Sequence, residues 1–261
     1  KLHVLLKRRD SEVIMSGRED FHGVRAGDNK RKAASDEATM GVAPKLPKTA
    51  AEKDNSDRLI VVLDRACLET VKVGKGYELL NCDDHAHILK KHKREAAECR
   101  PDISHQMLLT LLDSPLNKAG KLQVYIHTEK NVLIEVSPHI RIPRTYKRFA
   151  GLMVQLLHKL KIRAVNGADT LLKVIKNPIE AHLPVGARRF GTSKTGILVK
   201  AHDWVPTLPK GPIVLCLGAI AHGKAEVDWV ENYISVSSYP LSGSVAAGKF
   251  CTAFENHWDI L

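Results

Sequence analysis

From Arg58 to the end of the chain, short β-branched and apolar runs alternate with segments of helical spacing, which limits the fold to a sheet with helices packed against it. Arg58-Leu59-Ile60-Val61-Val62-Leu63 reads as a buried first strand. Residues 102–112 predict a buried helix, capped just after Pro101 and stopped by Ser114-Pro115. Residues 121–128 and 132–136 alternate as a hairpin turning at Glu129-Lys130-Asn131. Residues 146–160 return to helical spacing and aim Phe149, Leu152, Met153, Leu156, Leu157 and Leu160 at a core. Short strands are expected at 197–199, 213–217 and 233–236, followed by a last helix from about Ser242 to Trp258. The expected class is α/β with a mostly parallel sheet over residues 58–261. Residues 1–57 are polar, mix both charge signs and lack periodicity, so they predict a disordered N-terminal tail.

The chain carries a formal charge of +11, and most of the excess falls after residue 57, so the folded part is expected to meet an anionic partner. The longest apolar run, 213–221, is far short of the roughly 20 residues that cross a bilayer, so no membrane partner is expected. Five cysteines without a Cys-x-x-Cys pair argue against a disulfide framework or a structural zinc site, and point to a reducing compartment. The first residues lack the apolar stretch of a secretory signal, and Met15 is a candidate initiator. Lys30-Arg31-Lys32 fits either part of a nuclear import signal or a solvated cluster.

Gly218-Ala219-Ile220-Ala221-His222-Gly223-Lys224-Ala225 follows a predicted strand and nearly matches the phosphate-cradling G-x-x-x-x-G-K-[ST] loop. Ala225 lacks the hydroxyl that would hold magnesium, which disfavours a nucleotide triphosphatase. A second small-residue loop, Ser237-Ser238-Tyr239-Pro240-Leu241-Ser242-Gly243-Ser244, follows the next strand, and the two loops together suit one small ligand with an adenine and a thioether-like tail. Between Glu135 and Asp169 no acidic residue occurs, while Arg141, Arg144, Lys147, Arg148, Lys159, Lys161 and Arg163 are basic. Arg144 and Arg148 are spaced as an i,i+4 pair with Arg141 one turn earlier, a pattern suited to gripping successive phosphates. Arg100-Pro101-Asp102 fits an N-cap with a surface ion pair or a pre-oriented guanidinium; taken alone the residues favour the cap. Asp113 bonds the turn before Ser114-Pro115 or serves a pocket. The Asp83-Asp84-His85-Ala86-His87 cluster lacks metal-ligand spacing, and no metal is expected.

Several segments taken together, Leu80-Asn81-Cys82-Asp83-Asp84-His85, Arg100-Pro101-Asp102-Ile103-Ser104-His105-Gln106, residues 111–120, Arg141-Ile142-Pro143-Arg144-Thr145-Tyr146-Lys147-Arg148-Phe149, Gly151-Leu152-Met153-Val154-Gln155-Leu156-Leu157 and Ser238-Tyr239-Pro240-Leu241-Ser242, resemble the eukaryotic ribosome-biogenesis pseudouridine N1-methyltransferases of the SPOUT superfamily. The resemblance covers about 58–261. It implies a mostly parallel sheet with helices on both faces and a C-terminal trefoil knot, a departure from unknotted connection rules. It further implies S-adenosyl-L-methionine bound by Thr192, Gly218, Gly223, Lys224, Ala225, Val236, Ser237, Ser238, Tyr239, Pro240 and Leu241, with a homodimer completing the pocket. Family members commonly carry a polar residue where Ala225 stands. Arg100, Arg141, Arg144 and Arg148 are implied RNA contacts, with Arg100 also catalytic, oriented by Asp102, and Asp113 supporting the pocket or assisting proton removal. The implied substrate is a pseudouridine in small-subunit (18S) ribosomal RNA within a pre-ribosomal particle in the nucleolus. The alternative is a non-catalytic small-subunit assembly factor that binds the same RNA.

Overall fold

In the computed structural model of the protein, residues 47, 49–165, 169–223 and 225–261 are described. Residues 1–46 of the expected tail lie outside the described residues. The rest of that tail includes a short helix, α1 (Ala50–Asn55), started by a reciprocal Thr49–Glu52 capping box. Order therefore begins ahead of Arg58, because local capping offsets the low hydrophobicity of the stretch.

Strand β1 (Leu59–Ala66) is buried on both faces along almost its whole length, as a central parallel strand should be. It lies between β4 (Leu122–Thr128) and β9 (Ile213–Gly218), parallel to both. β4 turns through Asn131, which takes a left-handed conformation at φ 59°, into antiparallel β5 (Leu133–Val136), as the alternation predicts. Beyond β5 come β7 (Thr170–Ile175) and β6 (Lys161–Arg163), both antiparallel to their neighbours. On the other flank β8 (Arg188–Leu198) pairs parallel with β9, and β10 (Asn232–Ser235) pairs parallel with β8. The order β10-β8-β9-β1-β4-β5-β7-β6 puts the last strand outside β8, so the chain leaving β9 must cross back over its predecessor. A separate hairpin joins β2 (Thr70–Val73) to β3 (Gly76–Leu79) through Gly74 at φ 59°.

One sheet face carries the larger core. Helices α3 (Pro101–Asp113), α5 (Tyr146–Lys159) and α7 (Gly243–His257) bury Met107, Leu108, Phe149, Met153, Phe250 and Phe254 against Leu59, Val61, Leu63 and Leu215. Each such side chain contributes about 1.5–3 kcal/mol through removal from water. On the opposite face Ile60, Val62, Tyr125 and Val214 meet Ile179 and Leu183 of a one-turn helical segment. Shorter helices are α2 (Ala86–Lys91), α4 (Pro115–Lys118) and α6 (Ala201–Trp204).

Three expectations need correction. The helix expected after Pro101 includes Pro101 itself as its first residue, with Arg100 at the cap position and making no side-chain cap. Leu160 is not core: it ends α5 at φ 59° and is 55% exposed, because a left-handed cap turns its side chain off the buried stripe. The strand expected at 197–199 is the end of the eleven-residue β8, whose polar Gly-Thr-Ser-Lys-Thr-Gly middle hides the strand from periodicity.

Candidate functional site

Helix α3 is the beam on which the site is assembled. Its interior packs on the start of α7, so closely that a Cβ on Gly243 would lie 2.7 Å from the Met107 sulfur. His105 Nε2 lies 2.7 Å from the Pro143 carbonyl, and the His105 ring stacks on Phe149 at 4.5 Å between centroids. The basic run is thereby fastened to the same helix whose neighbour α7 follows the second small-residue loop.

At the start of α3, Arg100 donates from Nε to Asp102 Oδ1 at 2.8 Å and from Nη2 to Asp102 Oδ2 at 2.6 Å. This bidentate fork orients the guanidinium: residue 100 stands at the cap position at φ −119° and, having only donors, makes no cap bond. The hydrogen bond from Arg100 holds the Asp102 carboxyl below its ordinary range, partly opposed by burial. The guanidinium is raised in turn and stays charged. A fixed, partly exposed cation at a helix start is suited to meeting negative charge that develops on a ligand.

Arg141, Arg144, Lys147 and Arg148 are all exposed. Arg144 and Arg148 do not share a helical face, because α5 begins at Tyr146 with Thr145 as its cap, which leaves Arg144 outside the helix. Arg144 instead reaches back to Asp113 at the end of α3, Nη1 to Oδ2 2.6 Å. Among the described residues Arg141 and Arg148 form no ion pair, so both are available to phosphates.

The two small-residue loops stand at the carboxyl ends of β9 and β10, where open α/β sheets bind ligands. Thr192 Oγ1 donates to the Cys216 carbonyl at 3.2 Å, bracing β8 on β9 just before the first loop. Gly218 is pressed against Ala225, whose methyl would lie 3.0 Å from a Cβ at 218, and Ala225 is buried. The absent hydroxyl at 225 thus takes no donor from the loop surface. Gly223 sits at φ 94°, a conformation that favours glycine. Lys224 lies outside the described residues. In the second loop Val236 packs on the core, the Ser237 carbonyl accepts from Ser235 Oγ, and Ser237 Oγ accepts from the Tyr239 amide. Ser238, Tyr239, Pro240 and Leu241 are exposed. Among the described residues the amides of Ile220, Ala221 and Leu241 donate to no protein acceptor. Free main-chain donors beside apolar Ile220 and Leu241 fit an adenine base and a thioether tail.

Sequence reasoning missed three groups. The Tyr146 hydroxyl is buried with no hydrogen-bond partner, burial pushes its phenol up, and the Asp102 charge adds to that shift. Asp64, buried at the carboxyl end of β1 opposite Gly218, contacts His127 Nδ1 at 2.8 Å, and His127 Nε2 lies 2.9 Å from Asn131 Oδ1. The Asp64–His127 pairing has no local signal, since 63 positions separate the two residues. Cys67, Glu69 and Cys99 place ligand atoms within 4.8 Å of one another, but Arg94 and Lys130 already pair with Glu69. Asp83-Asp84-His85 is a structural turn: Asn81 Oδ1 accepts from the amides of Asp83 and Asp84, and buried His85 accepts from the Asn81 amide.

The comparisons agree with this geometry. The model of the EMG1/NEP1 methyltransferase family matches residues 61–255. The human ribosomal RNA small subunit methyltransferase NEP1 is 56% identical over 220 residues, covering 84% of this chain and 89% of that protein. The Drosophila melanogaster protein of the same name is 53% identical over 211 residues, covering 78% and 84%. The crystal structure of Archaeoglobus fulgidus Nep1 bound to S-adenosylhomocysteine superposes with a TM-score of 0.66 at 23% identity, covering 78% of this chain and 99% of that one. The family model spans well over half of the chain and both named relatives are more than 50% identical to it, so the chain belongs to the EMG1/NEP1 methyltransferase family.

Proposed function

We propose that the protein methylates N1 of a pseudouridine in small-subunit ribosomal RNA, with S-adenosylmethionine as methyl donor, as a homodimer acting in the nucleolus on the pre-ribosomal particle. Residues 58–261 form the methyltransferase domain in this reading, with the chain drawn through a trefoil knot at the loops after β9 and β10. Support for the substrate comes from the relatives named as small-subunit ribosomal RNA methyltransferases and from the acid-free basic run 136–168.

When bound, S-adenosylmethionine supplies an electrophilic methyl group to a nucleophilic nitrogen. Gly218, Gly223, Lys224, Ala225 and residues 236–241 would hold it through main-chain groups, with Thr192 bracing the strand beneath. Pseudouridine is joined to its sugar through carbon, so its N1–H is free to be lost. The chain has to take the base out of its loop and place N1, so positioning carries most of the acceleration. Arg141, Arg144 and Arg148 grip the backbone, with Arg144 steadied by Asp113. Arg100 stabilises the ring as negative charge develops on its carbonyl oxygens.

The carrying observation is the two-point Arg100–Asp102 fork, which presents a fixed cation where a mobile one would lose entropy. Arg100→Ala is expected to slow methyl transfer on saturating RNA by about 10²-fold or more, the cost of one lost transition-state donor. Asp102→Asn, which keeps the guanidinium but loosens it, should fall between Arg100→Ala and the parent. An Arg100→Ala rate equal to the parent's would remove the proposed role.

The loss of a polar residue at 225 does not favour the assembly-factor reading, because that position is buried under the loop. Homodimerisation is supported by exposed Ile197 and Leu198 at the end of β8, Tyr239 and Leu241 in the second loop, and Val245 in the first turn of α7.

A further inference from the structure

Two adjoining clefts of about 590 and 310 Å³ open at the amino ends of β1 and β4, the end of the sheet opposite the loops after β9 and β10. Arg58 lines both. Its residue is 8% exposed, its Nε is buried with no hydrogen bond, and its guanidinium forms no ion pair among the described residues. Burial pushes this guanidinium down from its ordinary range, only partly opposed by the Tyr125 phenol and the Asp54 carboxyl. Ser56, which ends α1, lines the larger cleft, and its Oγ is also buried without a partner. Two buried polar groups without a hydrogen-bond partner thus belong to side chains that line one concave region.

The other charges there do not quench Arg58. Glu52 accepts from the Thr49 amide, and Asp57 Oδ1 accepts from the Gly211 amide at 2.6 Å. Lys121 belongs to the larger cleft, where its Nζ reaches the Asp57 carbonyl at 3.4 Å. Lys53 and Lys173 line the smaller cleft, with Glu135 as its single acid. A buried, unpaired cation is costly unless something charged completes it. A planar guanidinium fork, a hydroxyl and flanking ammonium groups are the donor set that a tetrahedral oxyanion takes.

We propose that these clefts form a phosphate-binding site, centred on Arg58 and Ser56 and rimmed by Lys53, Lys121 and Lys173. The site is separate from methyl transfer and does not depend on that reading. The phosphate is either a backbone group of bound RNA or a free phosphoryl compound. The test is thermal unfolding of the full chain in inorganic phosphate against chloride at matched ionic strength. Phosphate is expected to raise the melting temperature in a saturable way. The double variant Lys53→Gln/Lys173→Gln should need about tenfold more phosphate for the same rise, by loss of two charge-assisted contacts. Arg58→Met should fold without phosphate and lose the response. Saturating an RNA hairpin lacking pseudouridine separates the two sources: abolition of the phosphate response assigns the site to RNA backbone, persistence assigns it to a free compound, and both support a phosphate site. No rise beyond chloride, or an undiminished response in the double lysine variant, overturns the proposal, and the double variant decides alone should Arg58→Met not fold.

Discussion

In the proposed reaction Arg100 acts because Asp102 removes its freedom. A lone surface arginine samples many rotamers, whereas two parallel bonds from one carboxylate leave the guanidinium a single orientation. Asp113 restrains Arg144 less tightly, through a single ion-pair contact at the surface. The residue types were legible in the sequence, but the pairings that give them direction were not, since Asp113 and Arg144 are brought together only when α3 and the chain before α5 meet. Asp64 and His127 are a further pairing of this kind, set beside the first loop by the register of β1 with β9. The hydrogen bond that His127 Nδ1 donates to Asp64 raises the His127 pKa above its ordinary value, against the lesser effect of burial. The sign follows: the pairing stabilises the fold fully below about pH 6.5, where the unfolded imidazole is also protonated, and loses that contribution as pH rises through the folded-state pKa. Melting the parent beside His127→Gln from about pH 6 to about pH 9 should therefore show a stability gap that narrows with rising pH. A gap that widens would contradict the assignment.

Elements with strong local signals were legible before any coordinates. β1 declares itself by an unbroken apolar run, the β4–β5 hairpin by alternation around a turn, and α7 by Ser242, whose hydroxyl accepts from the Val245 amide. β8 is the opposite case. Its middle is polar and small, and what makes it a strand is its neighbour: a Cβ on Gly196 would lie 2.7 Å from the Tyr233 carbonyl carbon and oxygen. Glycine is there because β10 approaches within backbone contact. Since backbone cannot move aside as a flexible side chain can, Gly196→Ala should cost about 1–3 kcal/mol by overpacking, read from urea unfolding. The same change should weaken cofactor binding, because β10 leads directly into residues 236–241. Parent-like stability and affinity would show that the two strands can separate without loss. Beyond β5 the antiparallel strands β7 and β6 were not legible, since β6 is three residues long and is defined by its pairing with β7.

At the scale of the whole molecule, one end of the sheet gathers the loops expected to hold the cofactor, and α3 connects their neighbourhood to the arginines. Apolar Ile197, Leu198 and Val245 are left exposed on the same flank, where a second copy would bury them. Light scattering at micromolar concentration should give twice the 28.9 kDa chain mass, and Leu198→Asp should return it to the monomer value. A parent already monomeric would leave these side chains without the proposed cover. The positive charge of the chain and the names of its relatives support an RNA substrate, and the proposed choice of pseudouridine over uridine rests on a chemical distinction at one nitrogen. In uridine that nitrogen carries the sugar; in pseudouridine it carries a removable proton. The decisive measurement is transfer of labelled methyl from S-adenosylmethionine to a small-subunit ribosomal RNA hairpin containing pseudouridine, beside the same hairpin containing uridine. Label on the pseudouridine RNA alone is predicted; equal label on both hairpins, or none on either while both bind, would contradict N1 methylation as the function of this site.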